Sequence, residues 1–300
     1  MIIYIDENDE GKRLDGYLAE ITPDISRSKI QNLIKSGNIK VNDVSKKPSY
    51  QLRENDKIEF EISPEQSLVI EPQNIPLDIV YEDENMLVVN KPSGMLTHPT
   101  TIERENTLVN ALLYKYGENL SDINGELRRG ILHRLDRNTS GLLMIAKNNK
   151  AHEFLANQIK EHTLTKKYRA IVKGVIKEDE FEINSPIGRN PNQPHKMTIL
   201  PDGKPSVTIV KVLERFKEHT FIELTLVTGR THQIRVHMKS INHPVYNDTL
   251  YGAGQGKVKT EEQVLQSYFL SFTKPFGNEI INLEIEPDEK INKVLKYLRG

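Results

Sequence analysis

Apolar positions along this chain keep two different rhythms. Toward the amino end, Leu14, Tyr17 and Leu18 fall at helical spacing. Ile30, Leu33 and Ile34 repeat it, with Ser26 as the expected N-cap and a stop near Gly37. Ile39 with Val41, and later Ile58 with Phe60, alternate as short strands do. Periodicity lapses after Phe60, and Glu71-Pro72-Gln73-Asn74-Ile75-Pro76 carries two prolines and amides. Beyond residue 77 the strand rhythm dominates. Ile79-Val80-Tyr81 and Met86-Leu87-Val88-Val89 flank an acidic turn, Leu142–Ala146 is short enough for a buried strand, and Tyr168–Val172, Val207–Val212 and Phe221–Val227 follow. Helices are predicted around Leu108, Ala111, Leu112 and Tyr114, and around Phe154, Leu155 and Ile159. A further helix, capped by Thr231, carries Ile234, Met238 and Ile241 and closes at His243-Pro244.

This ordering predicts an α+β protein. A small α/β unit occupies residues 1–60, a linker 61–76, and a larger domain 77–300. Its many strands and irregularly interspersed helices favour a large mixed or antiparallel sheet over a doubly wound one. Three hundred residues exceed the usual span of one core, which agrees with two unequal domains.

Cysteine is absent, which excludes a disulfide framework, thiolate metal sites and cysteine nucleophiles. No apolar stretch approaches the roughly 18 residues that span a bilayer. Met1–Glu7 lacks the basic start and cleavage site of a signal peptide, so a cytoplasmic location is expected. The net charge is −1, but its distribution is uneven. Residues 11–58 carry ten Lys/Arg against six Asp/Glu, and residues 126–170 carry ten against four. Two basic segments in a neutral chain can form a footprint for phosphates, and equally an ordinary solvated face.

The densest chemistry lies in Gly130–Gly141, where Asp136 stands among His133, Arg134 and Arg137 ahead of the apolar run. A carboxylate on a loop braced by a strand, with cations beside it, suits nucleophilic or general-base work. A surface ion-pair loop has the same composition. The histidines suggest no metal site: His232 and His237 are five residues apart, about 140° around a helix, whereas a zinc pair sits four apart.

Residues 133–147, HRLDRNTSGLLMIAK, are very similar to the signature of the RluA-type pseudouridine synthases. Val89–Met95 with His98-Pro99, Lys167-Tyr168-Arg169-Ala170, Gly203–Thr208 and Thr228–His237 resemble further segments of that family, in the expected order. The amino-terminal unit, through Arg13-Leu14-Asp15, Ser26-Arg27-Ser28, Leu33-Ile34, Gly37 and Ile39–Asn42, resembles the small RNA-binding domain first known from a ribosomal protein, the αL motif.

These resemblances imply an enzyme that flips a uridine out of RNA and isomerises it to pseudouridine, with neither cofactor nor metal. They give Asp136 the essential carboxylate, Arg235 its pairing, Tyr168 stacking on the uracil, and Arg134 the gap left by the flipped base. His133, Arg137 and Arg230 are weaker candidates for phosphate contact or loop support. Arg13, Arg27, Lys29, Lys46 and Lys47 are the expected RNA contacts of the small domain. Ribosomal RNA is the favoured partner and transfer RNA the second, with a monomer as the simplest assembly and no membrane. Two departures, Asn247-Asp248 and Gln263–Ser267, lie outside the expected charged constellation. The competing readings are a non-catalytic RNA-binding or ribosome-assembly protein on the same fold, and a carboxylate-dependent hydrolase of nucleosides or sugars. The hydrolase lacks a second acid in the motif.

Overall fold

The first unit begins with β1 (Ile2–Tyr4), continues through α1 (Leu14–Ile21) and α2 (Arg27–Lys35), and ends with β2 (Ile39–Val41) and β3 (Lys57–Phe60). A computed structural model describes residues 2–7, 9–22, 27–60, 70–100, 102–252 and 254–300, apart from the side chains of Ser28 and Lys29. The chain divides into Met1–Val69 and Ile70–Gly300. β3 runs between β1 and β2, antiparallel to both. The helical stripes are buried as their spacing predicts: Leu14, Leu18, Ile30 and Ile34 close one core with Val41 and Ile58. The Ser26 cap falls outside the described residues.

The second unit opens with β4 (Ile79–Glu82), β5 (Met86–Lys91), α3 (Leu108–Tyr116), β6 (Ser140–Ala146), α4 (Asn149–Lys160) and β7 (Thr165–Lys173). It continues with β8 (Glu180–Asn184), β9 (Ile187–Arg189), β10 (Met197–Ile199), β11 (Val207–Arg215) and β12 (His219–Leu226). The last elements are α5 (Gln233–Ser240), β13 (Leu265–Thr273), β14 (Ile280–Glu284) and α6 (Glu289–Arg299). The sheet order is β4-β5-β6-β13-β7-β12-β11-β8, with β14 also on β13, while β9 and β10 pair separately. Among the described strands of this sheet, only the β6–β13 pairing is parallel (Gln266↔Ser140, Ser267↔Gly141). The sheet is therefore mixed, as expected.

β5 and β6 read as unbroken apolar runs because both their faces are covered. Leu87, Val89, Leu143 and Ile145 enter one core, and Met86, Val88, Leu142 and Met144 the other. Gly141 (φ 113°) starts this central strand where β13 comes close: a Cβ there would stand 2.0 Å from the Ser267 carbonyl oxygen.

Two expectations need correction. Residues 70–76 are not a free linker. The Asn110 amide donates to Glu71 O at 2.8 Å, Gln73 N–H donates to Asn110 O at 3.0 Å, and Ile70 packs on the main core. Residues 61–69 lie outside the described set. Thr231 does not cap α5. His232 is the N-cap, in the left-handed region (φ 56°), and the Gln233 side chain folds back to accept from Arg230 N–H at 3.0 Å and Thr228 Oγ1 at 2.8 Å. Those bonds brace the turn ahead of the helix.

Candidate active site

Asp136 sits on the loop that feeds β6, and the loop is gripped from behind by its carbonyls. Lys91, fully buried at the end of β5, donates to Pro92 O and Met95 O at 2.8 Å and to Arg137 O at 3.0 Å, which uses all three ammonium protons. Thr97 Oγ1 donates to Leu135 O at 2.9 Å, and Ser93 Oγ donates to Asn138 O at 3.1 Å. Lys290 on α6 reaches the same Asn138 oxygen at 2.7 Å. The segment Val89–Met95 thus grips the loop through this clamp. Burial, with Lys290 and Arg137 nearby and Asp136 opposing, draws the Lys91 ammonium down to about 7.

Arg235, pointing inward from α5, joins two carboxylates. Its Nη1 donates to Asp136 Oδ2 at 3.1 Å, while Nε and Nη2 grip Asp248 Oδ2 and Oδ1 at 2.7 and 2.9 Å. Burial alone would lower the Arg235 pKa; hydrogen bonding and charge from Asp248, then Asp136, raise it instead. The bidentate fork expected on Asp136 therefore goes to Asp248. That residue belonged to a departure placed outside the charged constellation, and the structure puts it at the centre. The second departure also touches the site: Ser267 hydrogen-bonds Tyr168, and Gln263 O accepts from Lys290.

A cavity of about 440 Å³ opens over Asp136, lined by Arg134, Lys166, Tyr168, Leu226, Ile234 and Arg235 among others. This volume lies within the usual range for small-molecule sites. Tyr168 on β7 is buried, and burial, helped by the Asp136 charge and opposed by Ser267, pushes its phenol up to about 12. At neutral pH it is a protonated ring with a hydroxyl to donate. His232 Nε2 lies 3.8 Å from Asp136 Oδ2, and its Nδ1 is 2.8 Å from the Tyr251 hydroxyl. Tyr251 N–H in turn donates to Asp248 Oδ1 at 3.1 Å. Asp136 Oδ2 is thus held by Arg235, with the His232 ring nearby.

The weaker candidates divide. Arg134 is exposed at the rim, and so is Arg230, whose Nε donates to Pro205 O at 3.2 Å. Arg137 is ion-paired with Glu103. His133 is loop support: its Nε2 accepts Met144 N–H at 3.1 Å, and burial, then the charge of Lys166, push it down to about 3, so it carries no charge for a phosphate. In the first unit Arg13 and Arg27 are half exposed but spend guanidinium protons on buried Asp15, which also accepts from Gln31 Nε2 at 2.7 Å. Lys46 lies over the Tyr50 ring at 5.1 Å, and Lys47 is exposed. The Lys29 side chain is outside the described set. Sequence reasoning missed Asp248, His232, Tyr251, Lys91 and Lys166, although all stand in or beside segments it had marked.

Residues 85–240 match the RNA pseudouridylate synthase family, and residues 12–58 match the S4 domain.

The chain belongs to the RNA pseudouridylate synthase family.

The synthase is 41% identical over 98% of its length to YlyB of Bacillus subtilis, named an uncharacterized RNA pseudouridine synthase, and spans 96% of that protein. Identity to ribosomal large subunit pseudouridine synthase D of Neisseria meningitidis (strain Z2491) is 42%, covering 96% of this chain and 79% of the relative. Among solved structures, human RNA pseudouridylate synthase domain containing 1 matches 76% of this chain and 96% of its own, with a TM-score of 0.57 and 27% identity. No helix among the described residues is long and apolar enough to cross a membrane.

Proposed function

We propose that this synthase converts specific uridines of large-subunit ribosomal RNA to pseudouridine in the cytoplasm, as a monomer without cofactor or metal. The observation that carries the reading is Asp136: one carboxylate oxygen is held by Arg235, and the residue faces a cavity walled by Tyr168. The names of its relatives supply the RNA class. The flipped uracil stacks on Tyr168 while Asp136 acts at the nucleotide, and the cavity excludes bulk water from the exchange of the glycosidic bond. Arg134 fills the gap left in the RNA stack. Arg230 holds backbone phosphates at the rim. The S4 domain binds structured RNA through Lys29, Lys46 and Lys47, with the half-exposed Arg13 and Arg27 giving their outer faces.

The test is a site-resolved carbodiimide map of pseudouridine in ribosomal and transfer RNA from cells lacking the protein, complemented with wild type or Asp136→Asn. Loss of one or a few ribosomal sites, restored by wild type alone, is expected. Loss confined to transfer RNA would reassign the substrate. A map that stays complete, or one that Asp136→Asn restores, would overturn the assignment.

A further inference from the structure

Lys166 is a cation without a partner inside the catalytic cavity. It is 6% exposed, on β7 two residues before Tyr168, and strand alternation turns both side chains toward the cavity. Among the described residues no carboxylate, carbonyl or hydroxyl engages its ammonium, and burial alone acts on it, drawing its pKa down. Lys91, equally hidden, gives each of its protons to a carbonyl. A buried charge left unpaired is costly in the free protein and asks for a partner supplied by the ligand. Gly229 stands close by, where a Cβ would be 3.5 Å from the ammonium, and both residues line the cavity.

RNA offers oxygens on its phosphates, its riboses and its bases. Phosphates are bulky and strongly hydrated, and exposed Arg134, Lys160 and Arg230 stand at the rim to meet them. The depth of Lys166 and its place beside the stacking tyrosine fit a base. The chemistry of the exchange gives that base negative charge by any route. Breaking the bond between C1′ and N1 leaves the electron pair on uracil, spread from N1 onto the carbonyl oxygens. Addition of a carboxylate to C6 sends ring electrons to the carbonyl at C4. The charge is discharged when C5 bonds to C1′ and loses its hydrogen as a proton, N1 taking one up; Lys166 keeps its own.

We propose that Lys166 is a catalytic residue whose ammonium donates a hydrogen bond to a carbonyl oxygen of the flipped uracil and holds the negative charge that the ring acquires. This rests on the synthase reading above. Stabilisation of this kind is strong because the donor is preorganised where water is scarce.

The experiment compares wild type, Lys166→Met and Lys166→Arg on a transcript of large-subunit ribosomal RNA, with single-turnover rates at saturating enzyme, Kd and Tm measured for each. Lys166→Met is expected to lose on the order of 10²–10³-fold in rate. Its Kd should stay within about three-fold, because rim phosphate contacts supply most affinity. Its Tm should not fall, since an unpaired buried charge is removed. Lys166→Arg should recover at least a tenth of the wild-type rate. An unchanged rate, a loss confined to Kd, or a rate loss with a lowered Tm would overturn the proposal, the second marking a phosphate contact and the third a structural lysine. Wild type that binds the transcript and forms no pseudouridine would remove the synthase reading itself, and Lys166 with it.

Discussion

Arg235 grips both oxygens of Asp248, at 2.7 and 2.9 Å, and gives one Nη1 N–H to Asp136. The arginine is therefore oriented by a buried carboxylate outside the cavity lining, and it offers the proposed catalytic one a fixed contact.

Asp248→Asn should loosen that arrangement. Asp248 is fully buried and Arg235 nearly so, so breaking the pair costs about 3–5 kcal/mol. The single-turnover rate should fall by roughly 10–100-fold, the usual effect of losing a supporting residue behind a reactive group. Denaturant unfolding and rate measurements on the same preparation check both. Normal stability with a normal rate would remove Asp248 from the site.

Lys91→Met should leave Pro92 O and Met95 O without their donor and Arg137 O with Gly94 N–H alone. Each unsatisfied buried group costs about 1–3 kcal/mol, partly relieved by relaxation. Because Arg137 O is one of the three, the rate should fall together with Tm. A variant that is less stable yet fully active would show that the clamp does not position Asp136.

Tyr168→Phe keeps the ring and deletes the hydroxyl. With the phenol pushed up to about 12, the hydroxyl is a donor at neutral pH and no base. If it moves a proton, Tyr168→Phe should lose about 10²–10⁴-fold in rate at unchanged RNA affinity. Tyr168→Leu should lose more, through lost stacking. Equal losses in the two variants would make the hydroxyl the whole contribution and leave none to the ring.

His133 sets an acid limit on stability. Its folded pKa is pushed down to about 3 from an ordinary 6.5, so between these values the unfolded chain binds more protons than the folded one. The stabilisation is complete above about pH 6.5 and is lost as pH falls toward 3. His133→Gln, which can still accept Met144 N–H, should flatten the decline of Tm between pH 7 and 4. A wild-type decline undiminished in the variant would place the acid sensitivity elsewhere.

Asp15→Ala tests the first unit. The carboxylate is fully buried beneath Arg13, Arg27 and Gln31, and these hydrogen bonds with the coulombic pull of Arg13 hold its pKa well below the usual carboxylate range against burial. Its removal should destabilise that unit by about 1–3 kcal/mol, the cations being half exposed and screened. Amide hydrogen exchange should quicken in α1 and α2 and stay unchanged in β6. Exchange in α1 and α2 as slow in Asp15→Ala as in wild type would show that Asp15 carries no such weight.

The sequence by itself determined the α+β class, the helical stripes Leu14/Leu18 and Ile30/Ile34, the central strand at Leu142–Ala146, and Asp136, Tyr168 and Arg235 as candidates. Side-chain periodicity follows backbone geometry, which is local, and contiguous motifs keep their chemistry in order along the chain. Only the tertiary structure decided who pairs with whom. Arg235 and Asp248 are 13 residues apart, and Lys91 and Arg137 are 46 apart. Arg235 and Asp136 are 99 apart. Each pairing is made by strand order and loop closure rather than by spacing. The same holds for burial. Lys166 looks like any lysine in a basic run until β7 turns it into the cavity, where the loss of water makes an unpaired ammonium costly in the free protein.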